Sequence, residues 1–314
     1  MYCCFRELSF GFKIIRAEIL PTMFTEESIH TNLGLSRPTK SEFSENIIVK
    51  KIPCLGRLHF VRDTEGYMAV SFTTFYWIYG TFVNLFIILL PHYYDNECPL
   101  ELVLWFCFIS AMCIISLFKA STTNPGRVPL IEDSQIDLNN WEVCRVCCIK
   151  RPKRAHHCRR CKQCVLRMDH HCPWINNCVG EENHWAFTLL LFYAFLLGLT
   201  GFVVDMLHFW WWPKCITCDK ENFFIKHQIW FCYLVTLMGF TMACLMGGQV
   251  VVQHTNMLMN VTTLETMSGH NDKESVKVSS PYEAYKDLCG NGYPIFWLFP
   301  FGSRRAAQKY INTV

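Results

Sequence analysis

Four long stretches of the chain carry no charge, and they limit the possible fold more than any other feature. The runs cover Met68–Leu90, Leu102–Phe118, Trp185–Val204 and Ile229–Val252. A helix of about 20 apolar residues crosses a hydrocarbon core of about 30 Å, and runs with almost no amphipathic period are hard to bury in a soluble domain. Only 18% of the residues are charged, which is low for a soluble protein. The sequence therefore predicts an α-helical membrane protein with four transmembrane helices.

Lysine and arginine are distributed unevenly among the connections between these runs. Residues 119–184 contain eleven of them, whereas residues 91–99 contain none and residues 213–227 contain three. Because positively charged connections are retained in the cytosol, we expect residues 119–184 and both termini to be cytosolic. The compartment stays open within the endomembrane system: the Golgi apparatus, the endoplasmic reticulum or the plasma membrane.

The connection 119–184 also has a local excess of positive charge, with eleven basic against seven acidic residues. Such an excess favours contact with membrane lipids or with an anionic ligand. The net charge of the whole chain is only +3, and we expect no nucleic acid among its partners.

The same connection is rich in cysteine and histidine. Residues 144–187 hold eight of the nineteen cysteines. Two residues between thiolates let both sulfurs of a tight turn reach one metal ion, and this spacing occurs at three overlapping pairs: Cys144/Cys147, Cys158/Cys161 and Cys161/Cys164. Cytosolic cysteines stay reduced, so zinc is favoured over disulfides. The stretch has enough ligands for two tetrahedral sites, each with three cysteines and one histidine.

Cys172 remains after eight ligands are counted, and its neighbours suit a nucleophile. A thiol attacks as its thiolate, an adjacent imidazole can take its proton, and a carboxylate can orient that imidazole. Asp169, His170 and Cys172 supply these three groups within four residues. From the residues alone, a further metal ligand or an inert core thiol stays open as the alternative for Cys172.

Residues 144–187 follow, without a gap, the pattern C-x2-C-x3-R-P-x-R-x2-H-C-x2-C-x2-C-x4-D-H-H-C-P-W-I-N-N-C-V-G-x2-N-x3-F. This stretch resembles the DHHC family of protein S-acyltransferases, the palmitoyltransferases. Four apolar runs around a cysteine-rich connection look like the same family. The segment Thr262-Thr263-Leu264-Glu265 is similar to the family's TTxE element after the last span, and we expect Thr263 and Glu265 to brace the cysteine-rich region.

The resemblance implies two structural Zn²⁺ ions and a reactive thiol that is free of metal. Carried over by position, it also implies how the eight ligands divide between the two ions. One set is Cys144, Cys147, His157 and Cys164, and the other is Cys158, Cys161, His171 and Cys178.

The reaction that the resemblance implies is a two-step, ping-pong acyl transfer with palmitoyl-CoA as co-substrate. Cys172 attacks the thioester, with His170 as the base and Asp169 orienting it. The acyl group then passes to a cysteine of a cytosolic or membrane-associated substrate protein. CoA is polyanionic, so we expect basic side chains to bind it, namely Arg151, Arg154 and His156.

The predicted organisation has five parts. These are a flexible cytosolic arm (1–56), a first transmembrane hairpin (57–118), a cytosolic zinc domain (119–184), a second transmembrane hairpin (185–253) and a cytosolic C-terminal region (254–314). The family's Asp-Pro-Gly element is Asn124-Pro125-Gly126 here, so we expect the turn to survive without any salt bridge or cap that the aspartate makes.

Two questions stay open at this point. A catalytically silent, zinc-binding membrane scaffold is the main alternative to an enzyme, although an intact Asp169-His170-His171-Cys172 argues against it. Cys215 and Cys218 form another Cys-x-x-Cys pair in the connection 213–227, where incidental cysteines, a local disulfide, and a redox or metal role all remain open.

Overall fold

The structure, a computed structural model, describes residues 46–53, 55–128, 141–216, 218, 221–269 and 280–301. Within these residues, four helices are long and apolar enough to cross a membrane. They are α1 (Thr64–Tyr94), α2 (Leu100–Thr122), α3 (His184–Trp210) and α4 (Gln228–Leu258). The predicted four-helix membrane architecture is confirmed.

The helices extend beyond the uncharged runs that predicted them. Helix α1 begins at Thr64, before the run that starts at Met68, and α4 continues to Leu258. The extra turns of α4 carry Gln253 and Asn256, which are buried polar residues. Tertiary contacts, rather than hydropathy, therefore decide where these helices end.

Helix α3 lies between α2 and α4 and approaches α4 closely. A Cβ atom at Gly198 would lie 2.9 Å from the backbone nitrogen of Ala243 and 3.0 Å from the carbonyl oxygen of Gly239. Both distances are shorter than side chains tolerate, so the crossing requires glycine at this position. Small residues allow the same close contact in other membrane helix pairs, where there is no hydrophobic driving force between helices.

Residues just before α1 form a β-hairpin, which we call the N-terminal hairpin. Its strands are β1 (Ile47–Ile52) and β2 (Gly56–Val61), and they pair antiparallel. The prediction of a flexible arm up to residue 56 is therefore wrong for β1, while residues 1–45 lie outside the described part of the chain. The run Ile-Ile-Val is rich in β-branched residues that favour strands, and Val61 is fully buried against the cysteine-rich region.

Three more antiparallel hairpins, which we call hairpins I, II and III, lie between α2 and α3. Their strands are β3 (Trp141–Cys144) and β4 (Ile149–Pro152) in hairpin I, β5 (His156–Cys158) and β6 (Gln163–Val165) in hairpin II, and β7 (His170–Cys172) and β8 (Asn177–Val179) in hairpin III. Each hairpin is its own two-stranded sheet, so ordinary β-sheet cohesion contributes little to the domain.

Hairpins I, II and III are structural repeats with a period of 14 residues. The first strand of each ends in a cysteine, and that cysteine pairs with the residue five positions further on: Cys144 with Ile149, Cys158 with Gln163, and Cys172 with Asn177. The residue just before that partner has a positive φ in all three, at 54° for Cys148, 54° for Lys162 and 47° for Asn176. The three turns therefore place a left-handed residue at the same position.

The C-terminal region packs on α3 and α4. It contains α5 (Thr263–Ser268), α6 (Pro281–Cys289) and a 3₁₀ turn (Pro294–Leu298). The hydroxyl of Tyr285 lies 2.8 Å from Nδ1 of His254 on α4, and the hydroxyl of Tyr193 on α3 donates to the carbonyl oxygen of Leu298 at 2.6 Å. Between α3 and α4, Cys215 and Cys218 form a disulfide, one of the alternatives left open by the sequence.

Candidate active site and metal centres

The structure brings eight cysteine and histidine side chains into two compact sets. The candidate ligand atoms within each set all lie within 4.8 Å of one another. The first set is Cys144, Cys147, His157 and Cys164, and the second is Cys158, Cys161, His171 and Cys178. Three thiolates and one imidazole around a single point match the donor set of a structural, tetrahedral zinc site.

Each set is assembled from two successive hairpins. The turn of one hairpin supplies a Cys-x-x-Cys pair, and the next hairpin supplies a histidine and a cysteine that face each other across its strands. In hairpin II the facing pair is His157 and Cys164, and in hairpin III it is His171 and Cys178. Hairpin II thus belongs to both sets and ties the domain together.

The histidines of both sets point their Nδ1 atoms at the sulfurs. Nδ1 of His157 lies 3.1 Å from Sγ of Cys147, and Nδ1 of His171 lies 3.5 Å from Sγ of Cys161. On its other side, Nε2 of His171 is 4.0 Å from Oδ2 of Asp63, just before α1. A carboxylate facing the second ring nitrogen favours the tautomer in which Nδ1 binds metal.

Cys172 lies outside both sets, although it occupies the same place in hairpin III as Cys144 and Cys158 do in the first two hairpins. The second cysteine of a metal-binding turn would stand at position 175, where the chain has Ile175. Cys172 instead joins a hydrophobic cluster that includes Ile175 and Phe187. The 14-residue repeat was present in the sequence, and it would have predicted which cysteine is left without a chelating partner.

Asp169, three residues before Cys172 in the sequence, is fully buried and receives four hydrogen bonds. Nδ1 of His170 donates to its Oδ2 at 2.7 Å. The backbone N–H of Thr263 donates to Oδ1 at 2.6 Å and the Thr263 hydroxyl to Oδ2 at 3.0 Å. The amide of Gln253 donates to Oδ2 at 3.1 Å. The predicted contact of Thr263 with the cysteine-rich region is thus a direct bond to its buried carboxylate.

His170 and Asp169 are held as a charged pair. Burial alone favours an uncharged carboxyl, but the hydrogen bond from His170, the nearby His184 and the N–H of Thr263 outweigh it and hold the pKa of Asp169 well below its usual range. Burial likewise opposes a charge on His170, yet its hydrogen bonds with Asp169 and Cys172 raise the pKa of this histidine to about 9. A protonated imidazole beside a sulfur favours the thiolate, which is the attacking form of cysteine.

Known proteins share both the motif and most of the chain. The profile of the family described as DHHC palmitoyltransferase matches residues 137–270. The chain is 36% identical over 252 residues to palmitoyltransferase ZDHHC21 of Mus musculus, which covers 79% of this chain and 94% of that one. It is 39% identical over 251 residues to palmitoyltransferase ZDHHC21 of Danio rerio, with the same coverage. The chain belongs to the DHHC family. A more distant relative, palmitoyltransferase ZDHHC3 of Rattus norvegicus, is 29% identical over 262 residues, which are 79% of this chain and 85% of that one.

The asparagines of the DHHC signature attach hairpin III to the membrane helices. Nδ2 of Asn177 donates to the last carbonyl oxygens of α2, at 3.2 Å to Ala120 and 3.3 Å to Ser121, and at 2.8 Å to Thr123 just beyond. Nδ2 of Asn183 donates to Ala120 as well, at 3.2 Å. The last carbonyls of a helix have no partner within it, so these amides terminate α2 and fix the DHHC hairpin against its end.

The turn Asn124-Pro125-Gly126 keeps the cap that we expected to be lost. Oδ1 of Asn124 accepts hydrogen bonds from the backbone N–H groups of Gly126 at 3.2 Å and Arg127 at 3.1 Å. The expectation was wrong because an asparagine oxygen accepts backbone hydrogen bonds in the same geometry as an aspartate oxygen.

The TTxE element braces the DHHC domain through an arginine that we had expected to bind CoA. Arg154 makes two hydrogen bonds of 2.7 Å, through Nε and Nη2, to the two carboxylate oxygens of Glu265. Its Nη2 also donates to the carbonyl oxygen of Asn260 at 2.9 Å. Thr262 and Glu265 in turn form a reciprocal capping box at the start of α5. These bonds join Arg154 to the C-terminal region, and its binding to CoA stays a prediction.

The other two candidate CoA-binding residues lie on hairpins I and II. Nη2 of Arg151 is 3.7 Å from Oε2 of Glu142. His156 is half-buried, and burial together with the neighbouring Arg151 lowers its pKa. Both residues carry surface that an anionic ligand can reach.

Proposed function

We propose that Cys172 is the acyl carrier of this palmitoyltransferase, with His170 as the base and Asp169 as the residue that orients it. One observation carries the assignment. Cys172 stands outside both metal sets, while the buried Asp169 and the partly exposed His170, with 2.7 Å between Oδ2 and Nδ1, lie at the start of the same hairpin. The eight residues of the two sets then hold structural zinc ions, which stabilise the hairpins and take no part in the transfer.

The reaction proceeds in two balanced steps. In the first, the Cys172 sulfur attacks the carbonyl carbon of palmitoyl-CoA, the bond from that carbon to the CoA sulfur breaks, and the leaving CoA takes the proton from His170. In the second, the thiol of a substrate protein gives its proton to His170 and attacks the acyl-Cys172 thioester. The Cys172 thiolate leaves, and the enzyme returns to its starting state.

The two parts of palmitoyl-CoA need different surroundings. Each methylene of the acyl chain gains about 0.8 kcal/mol when it leaves water, so the chain extends among the transmembrane helices. The polyanionic CoA remains at the surface of the DHHC domain, where Arg151 and His156 supply donors. Arg154 contributes positive charge there, while its donors are bound to Glu265 and Asn260.

The orientation of the protein in the membrane follows from its two cysteine-containing connections, one with metal-binding cysteines and one with a disulfide. A reduced, metal-binding domain and both termini face the cytosol, where substrate proteins and membrane lipids are the partners. The connection with the Cys215–Cys218 disulfide lies on the opposite side, in an oxidising compartment. The protein is then an integral membrane protein of the endomembrane system, in the Golgi apparatus, the endoplasmic reticulum or the plasma membrane.

The second candidate function is a catalytically silent zinc scaffold. A scaffold has no use for a carboxylate that is buried with four donors beside a histidine and a metal-free thiol. Burying such a group is costly unless every bond is made, and here each bond serves the orientation of His170.

Incubation of the purified protein with palmitoyl-CoA tests the assignment. Intact-mass analysis is expected to show one palmitoyl group on the wild type and none on Cys172→Ser, with two zinc ions per chain in both. Cys148→Ser is the matched control, because Cys148 lies in the same domain and belongs to neither metal set. Loss of a zinc ion from Cys172→Ser, or acylation that persists in it, contradicts the proposal.

A further inference from the structure

Gln253 is a polar residue that is only 3% exposed on transmembrane helix α4, close to its end at Leu258. A polar side chain in such a place is costly unless it is fully bonded, and it often marks a functional site. Its amide nitrogen donates to Oδ2 of Asp169 at 3.1 Å and to the hydroxyl of Thr263 at 3.2 Å. Its oxygen lies 2.8 Å from Nε2 of His184, at the start of α3.

These contacts allow only one arrangement of protons. An ionised carboxylate can only accept, so the NH₂ group of Gln253 faces Asp169 and its oxygen faces His184. His184 must therefore carry its proton on Nε2 in order to donate to that oxygen. Both N–H bonds of the amide and its oxygen are then used.

The hydroxyl of Thr263 is fixed by the same argument. It accepts from Nδ2 of Asn256 at 3.2 Å as well as from Gln253. A hydroxyl has one proton to give, and that proton goes to Oδ2 of Asp169 at 3.0 Å. Gln253 thus holds Asp169 directly and also through Thr263.

We propose that Gln253 and His184 are positioning residues for acyl transfer, which fix the Asp169 carboxylate and through it the imidazole of His170. The inference rests on the proposed function of Cys172. Contacts between the start of α3 and the end of α4 then help to set the geometry of the reacting groups, in addition to hairpin III.

The physical reason is that the Asp169 carboxylate fixes the orientation of the His170 imidazole. Nδ1 of His170 is bound to Oδ2 of Asp169 at 2.7 Å, which leaves Nε2 for the thiol. Without the Gln253 amide, Oδ2 of Asp169 loses one donor and the Thr263 hydroxyl loses one partner. The carboxylate of Asp169 and the side chain of Thr263 are then less firmly held. Misplacement of a reacting group by about 1 Å costs on the order of 100-fold in rate.

The test compares variants by autoacylation with palmitoyl-CoA over a range of concentrations. Gln253→Met keeps the length of the side chain and removes all three hydrogen bonds. We expect its maximal rate to fall by about 10- to 100-fold, while the half-saturating concentration of palmitoyl-CoA and the content of two zinc ions stay unchanged. Gln249→Met is the matched control, since Gln249 lies one turn away on an exposed face of α4.

His184 supplies a second arm that does not depend on Gln253→Met folding well. His184→Phe removes the donor and is expected to lower the maximal rate, whereas His184→Gln keeps an N–H donor and is expected to recover most of it. An unchanged maximal rate in Gln253→Met, or equal rates for the two His184 variants, overturns the inference while leaving Cys172 as the carrier. A wild type that is not acylated on Cys172 overturns both.

Discussion

Hairpins II and III have the same length, the same strand register and a left-handed residue at the same turn position. The turn of hairpin II supplies two cysteines to a metal set, whereas hairpin III carries the cysteine that we propose as the acyl carrier. All five residues after the first cysteine differ between the two hairpins (159–163 and 173–177), and three of these differences bear on metal binding and on the contacts of the turn. Cys161, Lys162 and Gln163 in hairpin II correspond to Ile175, Asn176 and Asn177 in hairpin III. The comparison teaches that the turn of hairpin III lacks the second cysteine of a metal-binding pair, and that its two asparagines bind the carbonyl oxygens of Val61 and of the end of α2 instead.

The largest difference in autoacylation is expected between variants that lose a ligand from one metal set and variants that lose a ligand from the other. Cys161→Ala removes a ligand from the set that includes His171, the residue between His170 and Cys172, so we expect loss of one zinc ion, of folded protein and of autoacylation together. Structural zinc contributes about 10 kcal/mol or more to small domains. Cys147→Ala removes a ligand from the other set, which joins hairpins I and II and has no residue on hairpin III, so this variant is expected to keep measurable autoacylation. Metal analysis, thermal unfolding and autoacylation measure the three effects, and equal loss of activity in both variants would show that the sets are not distinct in this way.

Ile175→Cys restores the missing cysteine and should turn hairpin III back towards a metal-binding turn. Cys172 then gains a thiol at the spacing of Cys158 and Cys161, and we expect added zinc to inhibit autoacylation by about tenfold or more, with recovery after chelation. Ile175→Ala is the control, because it opens the same space without a thiol. Zinc-insensitive autoacylation by Ile175→Cys would mean that the turn of hairpin III differs from the other two in more than this side chain.

The smallest effect concerns the residue that follows the turn. Asn177→Ala leaves the last carbonyl groups of α2 without the amide that binds them, and we expect a loss of about 1–3 kcal/mol in the free energy of unfolding. Gln163→Ala makes the corresponding change in hairpin II, where the side chain is partly exposed, and is expected to cost less than about 1 kcal/mol. Thermal unfolding of the two purified variants gives the comparison, and a Gln163→Ala loss as large as that of Asn177→Ala would remove the distinction.

The sequence alone predicted the four helices, because long uncharged runs have few other stable environments. The N-terminal hairpin was missed, since a six-residue strand such as β1 depends on what its partner Val61 packs against. The bond between Arg154 and Glu265 joins residues 111 positions apart, and a basic run by itself gives no sign of such a partner. The contacts of Gln253 were likewise not predicted, because the sequence around a single polar residue in an apolar helix does not indicate which residues it contacts.

The attachment of hairpin III to the end of α2, together with the start of α3 at His184, fixes the position of Cys172 relative to the ends of these two membrane-spanning helices. Neither helix end can move without breaking the hydrogen bonds that the side-chain amides of Asn177 and Asn183 donate. A substrate cysteine must therefore come to this level, and a polypeptide extends by at most about 3.3–3.6 Å per residue from the point where it is anchored in the membrane. With Cys172 as the proposed acyl carrier, reach from the membrane, rather than a particular sequence, would then decide which substrate cysteines are acylated.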